Sequence, residues 1–151
     1  MSYSTAEHEM FERAVRNNFA DLFERGFEIS GVSSKTTAST GEHLMIDIGL
    51  ANTDRDMRVS LLRIPEKKRE AITVFFYAGS TASFELGDYL KQTGASEESL
   101  QQLNLAAQRG DLPDRVDAVL KSAREAVDEL LLSALRGGPW PHVPFDWGDY
   151  K

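Results

Sequence analysis

The sequence predicts an α+β domain. A helix comes first, then an antiparallel four- to five-stranded meander sheet, then two C-terminal helices packed on one face, and an aromatic, proline-rich C-terminal tail. Three observations predict it. Apolar residues recur at spacings of three and four near both ends of the chain and at a spacing of two in the middle. Turn residues divide the middle at short intervals, which suits antiparallel pairing and not the long crossovers of parallel strands. Strand and helix patterns are segregated and do not alternate. The 151 residues read most simply as a single α+β domain, 1–151, whose extended tail, 139–151, is expected to dock.

Residues 5–25 carry Phe11, Val15, Phe19, Leu22 and Phe23 on one stripe, a helix whose apolar side is core. Ser4 and Glu7 have capping-box spacing, and Gly26 stands where a C-terminal glycine is expected. From Phe27 to about Ala78 the period is two. Leu44, Ile46, Ile48 and Leu50 alternate with His43, Met45, Asp47 and Gly49. Met57, Val59 and Leu61 alternate with Arg58, Ser60 and Leu62, and Ile72, Val74 and Phe76 with Thr73, Phe75 and Tyr77. Each strand therefore has a buried face and a wetter one. Turns are expected at Ser39-Thr40-Gly41, Asn52-Thr53-Asp54 and Pro65-Glu66-Lys67-Lys68. The small, polar stretch Ser30–Thr40 reads as the frayed end of an edge strand or a hairpin tip.

Residues 82–94 read as a short strand with Phe84 and Leu86, followed by a helical turn stopping at Gly94. Ser96 is the expected N-cap of the next helix, with Leu100, Leu103 and Ala107 on its apolar side up to Gly110. Asp111 caps the last helix and Pro113 lies in its first turn. A stripe from Val116 through Val119, Leu120, Ala123, Val127, Leu130, Leu131, Ala134 and Leu135 runs to Arg136, and Gly137-Gly138-Pro139 stops it.

Composition narrows the function. The chain is 41% hydrophobic and 27% charged, with a net charge of −7 and a pI near 5.0. Nucleic-acid binding needs a basic footprint, so no nucleic-acid partner is expected. A basic protein partner suits the charge. The absence of cysteine excludes disulfides, thiolate catalysis and cysteine-ligated zinc. The polar, acidic start MSYSTAEHEMFER lacks a signal-peptide core, and the longest apolar run, Ala71–Ala78, is far short of a span. A cytoplasmic location without membrane association is the default expectation.

No phosphate-binding glycine loop or nucleophile elbow is present. His8 and Glu12 share a helix face but lack a second histidine, so a solvated face is preferred to a metal site. His43 and Asp47 lie on one strand face, about 13 Å apart by strand rise, too far for a direct acid–base pair. Neither a catalytic residue, a metal nor a cofactor is expected.

The candidate binding residues fall in two groups. In the tail they are Trp140, His142, Phe145, Asp146, Trp147 and Tyr150, where aromatic walls flank a histidine and an aspartate. In the locally basic segment from Arg55 to Arg69 they are Arg55 and Arg58, read either as a soluble edge or as a patch for an acidic ligand. The tail would dock on its own sheet or helices, on a second copy, or on a foreign protein, for which tryptophan and tyrosine are the usual anchors. In cis it is expected to cover Phe75 and Tyr77.

In size, acidity and element order the chain is similar in type, without a sequence motif, to toxin-neutralising immunity proteins and to acidic chaperones of secreted effectors. That likeness implies a non-enzymatic protein-binding module. A small-molecule or catalytic site between sheet and tail, and a homodimer built on the last helix or the tail, are the alternatives.

Overall fold

A computed structural model describes residues 3–37, 43–64, 69–79 and 82–143. The expected turns at Ser39–Gly41 and Pro65–Lys68, and tail residues Phe145, Asp146, Trp147 and Tyr150, lie outside the described residues.

The order is α1 (Thr5–Asn18), α2 (Ala20–Glu24), β1 (Glu28–Thr37), β2 (His43–Ala51), β3 (Asp56–Ile64), β4 (Arg69–Ala78), β5 (Ala82–Glu85), α3 (Leu86–Thr93), α4 (Glu97–Ala106), α5 (Leu112–Ala126), a π-helical turn (Val127–Leu131) and α6 (Leu132–Leu135). The five strands form one antiparallel meander in chain order, β1-β2-β3-β4-β5. The α+β reading holds. The two expected C-terminal helices are α4 and the long run from α5 to α6. Residues 82–94 form the short strand β5 and then α3, a helix longer than the single turn expected.

The first helix breaks where one continuous helix over 5–25 is expected. Asn17 and Asn18 are poor helix formers, because their side chains compete for backbone groups. The Asn18 amide donates to Ala14 O at 2.9 Å and to Asp117 Oδ1 at 2.8 Å. Phe19 leaves helical geometry there, and Leu22 N restarts the ladder from Phe19 O at 2.9 Å. The capping box is present, with Glu7 N donating to Ser4 Oγ at 3.1 Å and Ser4 N to Glu7 Oε1 at 2.9 Å.

The last helix departs from the expected uniform stripe through its π turn. Ala123, Val127, Leu131 and Leu135 are buried at a repeat of four. An α-helix turns every 3.6 residues, so a repeat of four drifts around the axis by about 40° at each step. One wider turn at Val127–Leu131 cancels much of that drift and keeps the four side chains on the core.

One face of the sheet carries Leu44, Ile46, Ile48, Leu50, Met57, Val59, Leu61, Val74, Phe76 and Phe84, which form one buried cluster with Phe11, Val15, Phe19, Leu22, Val116, Leu120 and Leu131 from the helices. Ion pairs tie the layers at the rim. Arg63 reaches Glu7 on α1 at 2.6 Å and Glu70 at 3.3 Å, Arg115 on α5 reaches Glu70 at 2.7 Å, and Arg124 reaches Asp21 at 2.8 Å. Among the described residues no helix is long and apolar enough to cross a membrane.

Candidate functional site

Alternation along β1–β5 leaves a second sheet face, whose side chains follow from the register. One row across it runs Gly31, Gly49, Arg58, Phe75 and Glu85. The next on one side runs Glu28, Ala51, Asp56, Tyr77 and Ser83, and on the other Ser33, Asp47, Ser60 and Thr73. Met45, Leu62 and Ala71 complete it. Met45, Leu62, Phe75 and Tyr77 are half-buried and stand outside the cluster that the helices share with the other face.

Arg58 is exposed at the centre of this open face, and its guanidinium lies over the Tyr77 ring at 5.6 Å. Tyr77 in turn stacks on Phe75, with ring centroids 6.3 Å apart. Two strand positions away, Asp47 and Ser60 are each only 5% exposed, and the Ser60 hydroxyl donates to Asp47 Oδ1. Beside Arg58 the glycine pair Gly31 and Gly49 leaves a hollow. A Cβ on Gly49 would lie 2.7 Å from Ser30 Oγ, at the bulge of β1, so a side chain there would have to turn the Ser30 hydroxyl aside. Two adjoining grooves of about 240 and 300 Å³ open here and share Ser30, Gly49 and Arg58. They are small against the 300–1,000 Å³ usual for ligand pockets.

The candidate residues separate. Arg55 belongs to the β2–β3 turn, where Asn52 Oδ1 accepts from Asp54 N at 2.8 Å and Arg55 N at 2.7 Å, the expected Asx turn. From there the Arg55 guanidinium donates to Ala134 O at 2.9 Å and Gly138 O at 3.2 Å, while Asn52 Nδ2 donates to Leu135 O at 3.0 Å. A cation and an amide thus add donors to carbonyls at and just beyond the end of α6, where Ala134 O also accepts from Gly137 N at 3.2 Å. Gly137, at φ 93°, then turns the chain, and Gly138 N returns to Ser133 O at 2.8 Å.

The turn delivers Trp140 onto Phe84, with centroids 5.0 Å apart, and under Arg55 at 5.1 Å. Trp140 is half-buried against the core, as is Val143, whereas His142 is exposed. The described part of the tail therefore docks in cis beside Phe84, on the helix-packed side, and not over Phe75 and Tyr77 as expected. Arg55 and Trp140 are brought together, and Arg58 lies on the opposite face of the sheet.

The basic segment likewise divides by strand alternation. Arg58 faces the open side, and Arg63 turns inward to Glu7, Glu70 and the ring of Tyr3, which it overlies at 4.7 Å. Burial pushes the Tyr3 hydroxyl up to about 12, against the opposing pull of Arg63. Burial also raises Glu7, but the hydrogen bond from Ser4 N and the Arg63 guanidinium outweigh it and hold that carboxyl below its ordinary value. Glu85 is raised, chiefly by burial, although it accepts from Asp88 N at 3.1 Å as the cap of α3. On α1, Glu12 pairs with Arg16 at 3.7 Å and His8 meets Tyr3 edge to face, 6.4 Å between centroids. Among the described residues no three His, Asp or Glu side chains converge as metal ligands would.

The buried Asp47–Ser60 pair and the Gly31–Gly49 hollow were not singled out from sequence. Both depend on cross-strand register, which alternation alone leaves open. No protein family, curated protein or solved structure matches the chain.

Proposed function

We propose that this chain is a non-enzymatic protein-binding module and that its open sheet face receives the partner. The observation that carries the reading is one face of a five-stranded sheet packed by helices while the other presents Met45, Leu62, Phe75 and Tyr77 around the exposed Arg58. Half-exposed apolar groups rimmed by polar ones mark interaction surfaces. Tyrosine and arginine are the side chains most often central to them. A sheet backed by a helical layer is already ordered, so binding costs little conformational entropy.

The net charge of −7 favours a basic partner and speeds its approach. Exposed carboxylates on α4 and α5, including Glu97, Glu98, Asp114 and Asp117, support that steering. Trp140 is engaged with Phe84 and Arg55, so the open face, not this tryptophan, supplies the anchors in this reading.

Site-specific photo-crosslinking in the native host tests it. A benzophenone amino acid at position 75 is expected to trap one basic protein, and the same group at exposed position 98 is not. Adducts from position 98 alone, or the same set from both positions, would overturn the reading.

A further inference from the structure

Among the described residues the meander leaves one stretch of β4 without a second strand neighbour, beside a helix. β3 and β4 pair without a register shift from Asp56↔Tyr77 to Ile64↔Arg69. On the other side of β4, β5 pairs only with Phe75–Ala78 and ends at Glu85, where α3 begins. From Glu70 to Val74, β4 therefore has a single strand neighbour among the described residues. An antiparallel strand points alternate pairs of N–H and C=O groups to each side, so this stretch presents main-chain donors and acceptors outward.

Across from it stands the C-terminal end of α4. A groove of about 330 Å³ lies between, with Glu70, Ala71 and Ile72 on the strand side and Asn104, Ala107 and Gln108 on the helix side. Its end is closed by Arg115, which Glu70 Oε2 holds at 2.7 Å. The strand-side residues are half-buried and the helix-side residues exposed, so the groove is open along its length.

We infer that this groove binds an extended segment of a partner protein as an added β-strand on β4, collinear with β5. Two features commit it to that occupant. Continuity is the first, because β5 already sets the pairing pattern on this edge and leaves the rest of β4 to be completed. The main chain is the second, because only an extended backbone matches alternating donors and acceptors over about 17 Å, the length of five strand residues. Ala71 and Ala107 in the groove lining are small, which leaves room for the side chains of the added strand. The edge of β1 is the poorer template, since its bulge at Ser30 interrupts the ladder. The inference stands independently of the open-face reading, because Arg58 and Phe75 take no part in it.

The test pans the full chain against a random dodecapeptide phage library and synthesises the most enriched peptide. Main-chain amides between Glu70 and Val74 are expected to gain hydrogen-exchange protection on binding. Backbone N-methylation at alternate peptide residues is expected to lower affinity roughly tenfold or more. Ala107→Trp, on an exposed position at the end of α4, is expected to abolish binding with an unchanged circular dichroism spectrum, and Arg58→Ala to leave affinity within twofold. No enrichment, tolerance of N-methylation, or protection confined to β1 or the open face would overturn the inference. So would protection of β4 by self-association of the peptide-free chain.

Discussion

Arg55→Ala is the substitution whose cost is most directly worked out from contacts. The guanidinium satisfies Ala134 O and Gly138 O at the end of α6 and lies 5.1 Å from the Trp140 centroid. Ala134 O keeps its bond from Gly137 N at 3.2 Å, so the loss falls mainly on Gly138 O, which is left without its charged donor at about 1–3 kcal/mol. The lost cation–π contact adds about 0.5–1 kcal/mol. The total is roughly 2–4 kcal/mol, because alanine supplies no substitute donor and little packing. For a chain of this size a central loss of about 3 kcal/mol lowers the melting temperature by roughly 6–12 °C. Urea unfolding followed by tryptophan emission, in a Trp147→Phe background that leaves Trp140 as the single tryptophan, reads stability and the environment of Trp140 together. The expected result is a lower midpoint and a red-shifted native spectrum. Arg55→Lys should recover less than half of the loss, since an ammonium cannot span two carbonyls and the ring as the planar fork does. An Arg55→Ala midpoint and spectrum equal to those of the parent would refute the view that this side chain clamps the tail to the fold.

Other outcomes follow from single sites. Burial raises Glu85 in the folded state, so the fold holds this proton more tightly than the unfolded chain and loses stability as pH rises through the carboxylate range. Glu85→Gln, which keeps an acceptor for Asp88 N, is therefore expected to melt higher than the parent at pH 7 and equally at pH 3; a lower melting temperature at pH 7 would show that the ionised cap is worth more than its burial costs. Gly138→Ala places a Cβ 2.6 Å from Ser133 O, so the turn must shift, and a loss of about 1–3 kcal/mol is expected in thermal melts. Asp111→Ala removes the acceptor for Asp114 N at the start of α5 and should cost about 1 kcal/mol by chemical denaturation, restored by Asp111→Ser.

Local chemistry written into the chain made much of the fold legible. The capping residues Ser4, Ser96 and Asp111 all act as read, because a cap bonds only to its own first turn. Gly26 and Gly94 sit at positive φ where helices were expected to stop, for the same local reason. The alternating set on β2, β3 and β4 faces the core as read, with Ile72 at its margin partly buried, since a period of two admits one core face. The candidate site was less legible. Arg55 and Arg58 are three residues apart and look like one basic cluster, yet strand geometry and the Asx turn send them to different places. Trp140 announces a docked tail, but not the surface it finds.

The sequence by itself determined the α+β class, the core faces of β2, β3 and β4, and the starts of α1, α4 and α5. These follow from interactions within a few residues, which composition and spacing encode directly. Tertiary structure alone decided that Asp47 meets Ser60, that one π turn realigns the last helix, and that Arg55 reaches across to Ala134 and Gly138. Each of these brings together or reconciles groups from distant parts of the chain, and such contacts are selected by packing the whole core at once, not by any local preference.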